Sequence, residues 1–174
     1  MESTFTNCVS ILTITGRTEF LDRFRNTMDN NEFHFDQTVC PELWERSFDK
    51  KGKWGTEDFV CGRVLSNTST KIVLWCETKD TPGLEWAKTC HWLFKRKRAP
   101  ITIQTAHYNL ATEIYGTHLV KAAGAGKHQW KIGTSAFMPT EEGSKVTSLK
   151  LREHSHFGCF LKQFGFLDVE PTIP

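Results

Sequence analysis

The sequence has little of what marks a secreted, membrane-spanning or metal-stapled protein. Its six cysteines, at 8, 40, 61, 76, 90 and 159, are irregularly spaced and include no CxxC pair. That spacing excludes paired-thiolate zinc frameworks and offers no disulfide pattern. Met1 to Asn7 hold neither a basic nor an apolar segment, so no secretory leader is expected. No apolar run approaches the roughly 18 residues of a membrane-spanning helix. A reducing, intracellular setting with free thiols follows as the expectation, and no membrane partner. Asn67-Thr68-Ser69 matches a glycosylation acceptor, which is inert without secretion.

Charge of one sign is also lacking. Lysine and arginine number 22 and the acids 20, a net +2. A protein that coats DNA needs many more phosphate contacts, so that class is excluded, whereas a local basic patch stays open. No HExxH or GxSxG motif occurs, no repeat and no low-complexity tract. The sequence therefore shows no recognisable active site, and neither catalysis nor a cofactor is expected. Tyrosine is scarce at 2, yet 13 Phe and 6 Trp supply enough aromatic anchors for one folded domain of 174 residues.

Periodicity then orders the chain. Cys8 to Thr15 is β-rich and closed by Gly16. Thr18 can cap a helix over 18–29 with Phe20, Leu21, Phe24 and Met28 on one face. Phe33 to Asp36 reads as a short strand. Alternation predicts strands over 59–65 and 71–78, joined as a hairpin by Ser66-Asn67-Thr68-Ser69. Thr81-Pro82 predicts the start of a helix running to about 97, with Trp86, Ala87, Cys90, Leu93 and Phe94 inward. Ile101 to Thr105 is a fourth strand. The order β-α-β-β-α-β predicts an α+β, ferredoxin-like antiparallel sheet with both helices on one face. Residues 1–120 form this core. Residues 121–174 form an extension packed on the same domain: a hairpin around Ala122 to Gly126, a strand over 146–151, and a short helix carrying Phe157, Phe160, Leu161 and Phe164, weakened by Gly158.

Asn7 and Cys8 leading into Leu12-Thr13-Ile14-Thr15-Gly16, Phe33 and Phe35 ahead of Pro41-Glu42-Leu43, Trp54-Gly55-Thr56, the segment Thr78 to Pro82, and Tyr115-Gly116 together carry a resemblance. Over about residues 7–120 the chain resembles a ferredoxin-like domain family of unknown function encoded by bacteriophages and other viruses. The family has more proline before its second helix. It also has a more acidic stretch where this chain reads Thr105-Ala106-His107-Tyr108-Asn109. The resemblance implies the fold and a viral or mobile-element origin; with no recognisable chemistry and abundant aromatics, a virion component or a host-interacting accessory protein in the host cytoplasm is the expectation. It transfers no catalytic residue.

Several residue groups invite a functional reading beside a simpler one. Trp54 could contact a partner at a sheet edge, or simply cap the core. Phe157, Phe160 and Phe164 could dock a protein partner or a second copy, or fold back. Lys95-Arg96-Lys97-Arg98 could contact phosphates, or satisfy the negative end of a helix dipole. His154, His156 and Cys159 could supply zinc ligands but lack a fourth. Gly124-Ala125-Gly126-Lys127-His128 lacks the hydroxyl residue of a phosphate loop and sits between strand-like runs. Cys90-His91 are helix neighbours that point about 100° apart and form no dyad. The expectation is a non-enzymatic protein-binding or structural module, with nucleic-acid binding through 95–98 as the alternative.

Overall fold

The computed structural model describes residues 7–28, 33–35, 55–56, 59–96, 98–139, 149–152 and 154–169. In chain order these form β1 (Asn7–Thr15), α1 (Thr18–Arg25), β2 (Phe59–Asn67), β3 (Lys71–Lys79), α2 (Leu84–Arg96), β4 (Thr102–Asn109), β5 (Ile114–Lys121), β6 (Gly124–Lys131), β7 (Phe137–Pro139), β8 (Leu149–Leu151) and α3 (His156–Gln163). The chain divides into a first unit over 1–129 and a second over 130–174. Among the described residues no helix is long and apolar enough to cross a membrane.

In the first unit β1 is the organising strand. Its β-branched run favours a pleated, buried surface. It pairs antiparallel with β3 on one side and with β4 on the other. β2 joins β3 through two bulges and forms one end of the sheet. β5 pairs antiparallel with β4, and β6 closes the other end, giving a six-stranded order β2-β3-β1-β4-β5-β6.

This sheet overturns the ferredoxin-like expectation. The hairpin assigned to a C-terminal extension is the last third of the main sheet, and its turn is only Ala122-Ala123. The strand order and the set of helices are those of a larger sheet, with α3 and the small β7-β8 sheet in the second unit. The physical reason lies in β4, which runs on to Asn109 because His107, Tyr108 and Asn109 pair with Gly116, Tyr115 and Ile114. The turn between β4 and β5, Leu110 to Glu113, has no Gly or Pro to announce it; Glu113 itself takes φ 56°.

Local chemistry also moved some boundaries. Thr18 does not cap α1, whose N-cap position is Arg17. Thr81 does not cap α2. Its hydroxyl donates to Gly55 O at 2.5 Å, and the helix begins at Leu84. In α3 the Ser155 side chain caps Gly158 N at 2.9 Å. Gly158, read from sequence as a weakness, is what lets α3 approach the Arg152 carbonyl, which a Cβ would strike.

The core of the first unit joins Leu12, Ile14, Ile72, Leu74 and Ile103 of the sheet to Leu21 and Phe24 of α1 and to Trp86, Cys90 and Phe94 of α2. Phe33 and Phe35, expected in a short strand, insert into this core as aromatic plugs. Phe35 stacks on Trp86 with centroids 4.9 Å apart, and Trp86 Nε1 donates to the Phe35 carbonyl at 3.2 Å. A fully buried indole needs such a partner for its N–H.

Phe33 lies so close to β2 that a Cβ on Gly62 would meet its carbonyl at 2.7 Å. Gly62→Ala is therefore expected to destabilise the protein by about 1–3 kcal/mol through overpacking. Gly126→Ala, whose Cβ would meet nothing within 4 Å, should leave stability unchanged. Urea unfolding of both variants checks this; equal midpoints would contradict the packing of Phe33 on β2.

Candidate functional site

The basic run at the end of α2 is positioned by the helix and by its termination. Lys95 and Arg96 occupy the last turn, both exposed; Lys97 lies outside the described side chains. Arg98 then takes φ 54°, with its N–H bonded to Lys95 O and the Ala99 N–H bonded to Phe94 O at 2.9 Å. This pair of bonds is the arrangement that glycine usually terminates. A non-glycine residue there costs on the order of 1 kcal/mol, and the chain keeps an exposed cation at that cost.

The sequence reading missed the aromatic partner of this run. Trp92 falls outside the buried stripe of α2 and is 49% exposed. The Arg96 guanidinium lies 4.7 Å from the centre of its ring. Residues four apart share a helix face, so Lys88, Trp92 and Arg96 form one outward stripe. Lys88 also pairs with Glu85 at 2.7 Å. The signal was available: a tryptophan off the apolar stripe, four residues before an arginine.

Beneath α2 the sheet carries a second feature. Register places Ile72, Ile14, Ile103 and Val120 in one cross-strand row, and Leu74, Leu12, Thr105 and His118 in the next. The following row is Cys76, Ser10, His107 and Gly116. The face thus changes from aliphatic to polar along the strands. Ser10, Thr105, His107 and His118 are all buried. Among the described residues Thr105 Oγ1, both ring nitrogens of His107 and Nδ1 of His118 find no hydrogen-bond partner. Burial, reinforced by Lys127 and His118, pushes the His107 pKa down to about 4. Burial also lowers that of His118, with Lys88 and Lys127 adding to the effect and Glu85 opposing it.

The remaining sequence candidates are placed as follows. Trp54 lies outside the described residues. Its neighbour Thr56 is buried and donates to Lys79 O at 2.6 Å, and this bond straps the segment to β3. Phe157 and Phe160 are buried in the second unit and Phe164 is half-buried. Phe160 lies 4.9 Å from Phe164 and 5.9 Å from Phe166, ring to ring. His154, His156 and Cys159 are exposed, and the His156 ring sits against Trp130 at 5.4 Å. Among the described residues no three His, Cys, Asp or Glu side chains converge to hold a metal ion. Gly124 to His128 lie within exposed strand β6 and not at the strand-to-helix junction that a phosphate loop requires. Cys90 is buried, its thiol pushed up by burial, while His91 Nδ1 donates to Ile101 O at 2.6 Å, so the two form no dyad.

Two outcomes follow. The folded pKa of His107 lies below the usual value near 6.5, so its contribution to stability is complete above that pH. It is lost as pH falls from about 6.5 toward 4, by at most about 3 kcal/mol. Urea unfolding at pH 7.5 and 5 should show this loss, and His107→Gln should reduce it. For the thiols, alkylation of the native protein should reach Cys61 and Cys159, which are exposed, and spare Cys8, Cys76 and Cys90 until denaturation. Mass spectrometry of labelled peptides decides it; labelling of Cys90 in the native state would contradict the core described above.

No protein-family model, curated protein or solved structure matches this chain.

Proposed function

We propose that the chain is a non-enzymatic module that binds nucleic acid through the outer face and C-terminal end of α2. One observation carries the reading: the exposed Trp92 ring with the Arg96 guanidinium 4.7 Å from its centre, beside Lys95 and Arg98. Stacking on an aromatic ring and ionic contact with phosphate are the two components of such binding. The left-handed Arg98 supports it, because helix termination alone is better served by glycine. A net charge of only +2 makes the interaction local and strongly salt-dependent.

Protein docking, in a virion or as a viral accessory protein facing the host, is the other reading. Phe157 and Phe160, which suggested it, are buried in their own unit; the exposed Met138 and Leu167 are what favour it now.

Trp92→Ala should weaken binding to an oligonucleotide by roughly tenfold, within the range of one lost base stack. Arg96→Gln should also weaken it and make the salt dependence shallower by about 0.7 in log–log slope if one contact to a single strand is lost. Fluorescence anisotropy across a salt series reads both. Unchanged affinity in both variants, with unchanged circular dichroism, would defeat the proposal.

A further inference from the structure

Deepening the reading just given, and resting on it, we infer that the nucleic acid is single-stranded and that its track continues from α2 onto β6, ending at Lys127. The track begins with Arg98 and Arg96, passes over Trp92, and reaches Lys88. From Arg96 to Lys88 the axial rise of the helix spans about 12 Å. Beyond Lys88 the surface passes to the sheet. α2 packs across β4 and β5, and β6 is the next strand. Lys88 of α2 and Lys127 of β6 both disfavour the charged form of the same buried imidazole, His118, so each lies within electrostatic reach of it.

Three further observations favour this path. All eight residues of β6 are exposed, which leaves Lys127 open to a ligand. Residues 114–140 contain no Asp or Glu, so β6 brings no carboxylate to compete for its cations. Gly124 and Gly126 beside Lys127 have nothing within 4 Å of where a side chain would start, so a backbone can come close there. Glu85, which adjoins the track, is held in an ion pair with Lys88.

The single strand follows from Trp92. Its ring can stack only on a base free of its neighbours, and a duplex offers base edges and ends instead. The buried His107 and His118 under the track are held toward their neutral forms and add little charge at neutral pH. The cations of the track are thus the lysines and arginines named.

The test uses the full chain and a fluorescent oligothymidylate of about twenty nucleotides, long enough for several phosphate contacts, with the same length of duplex as comparison. Lys127→Gln should reduce affinity several-fold and flatten the log–log salt slope by about 0.7, the value for one phosphate on a single strand. Lys162→Gln, on α3 of the second unit, should change neither. If Arg96→Gln weakens binding and Lys127→Gln does not, the continuation onto β6 is wrong while the α2 reading stands. If neither Arg96→Gln nor Trp92→Ala has any effect, the α2 reading fails and the inference with it. Duplex bound as tightly as single strand would overturn the choice of strand. Equal binding of polyglutamate would assign the track to an acidic polypeptide instead.

Discussion

The double pairing of β1 is the constraint on which the first unit depends. A strand bonded on both edges has no freedom of register, because a slip by one residue would turn its aliphatic positions to the other face. Leu12 and Ile14 therefore set which residues of β3 and β4 face the helices, and β4 in turn sets β5. The aliphatic rows and the polar rows are consequences of that one alignment.

α2 answers the same constraint on its two sides. Its inner stripe fills the aliphatic half of the sheet with Trp86, Cys90 and Phe94, all fully or nearly buried. Burying side chains of this size contributes roughly 1.5–3 kcal/mol each. That anchoring frees the outer stripe from any packing duty, and there Lys88, Trp92 and Arg96 are held at helical spacing. A rigid helix presents them with less loss of conformational freedom than a loop would. The candidate interface is thus a product of the core beneath it.

The polar half of the sheet carries an unusual energetic load. A buried polar atom without a partner costs on the order of 1–3 kcal/mol, and His107 and His118 expose the structure to acid for that reason. The charged neighbours that bear on them are chiefly Lys127 and Lys88, with Glu85 opposing at His118. Stability and the basic surface are therefore coupled, since the lysines proposed to hold phosphate also press on the imidazoles below.

Alternation and apolar spacing by themselves determined β1, the β2-β3 hairpin, the inner face of α2 and the helix bearing Phe157 and Phe160, because these signals are local and repeat within a few residues. They also determined that Lys95, Arg96 and Arg98 end a helix. Tertiary structure alone decided that β5 and β6 extend the main sheet, because pairing between β4 and β5 is non-local and their turn lacks Gly and Pro. It alone decided that Thr81 bonds Gly55 rather than capping α2, since the competing acceptor comes from a distant segment. And it alone joined Trp92 to Arg96 and gathered Ser10, Thr105, His107 and His118 on one face. Those meetings depend on side-chain direction and cross-strand register, which no short window of residues contains.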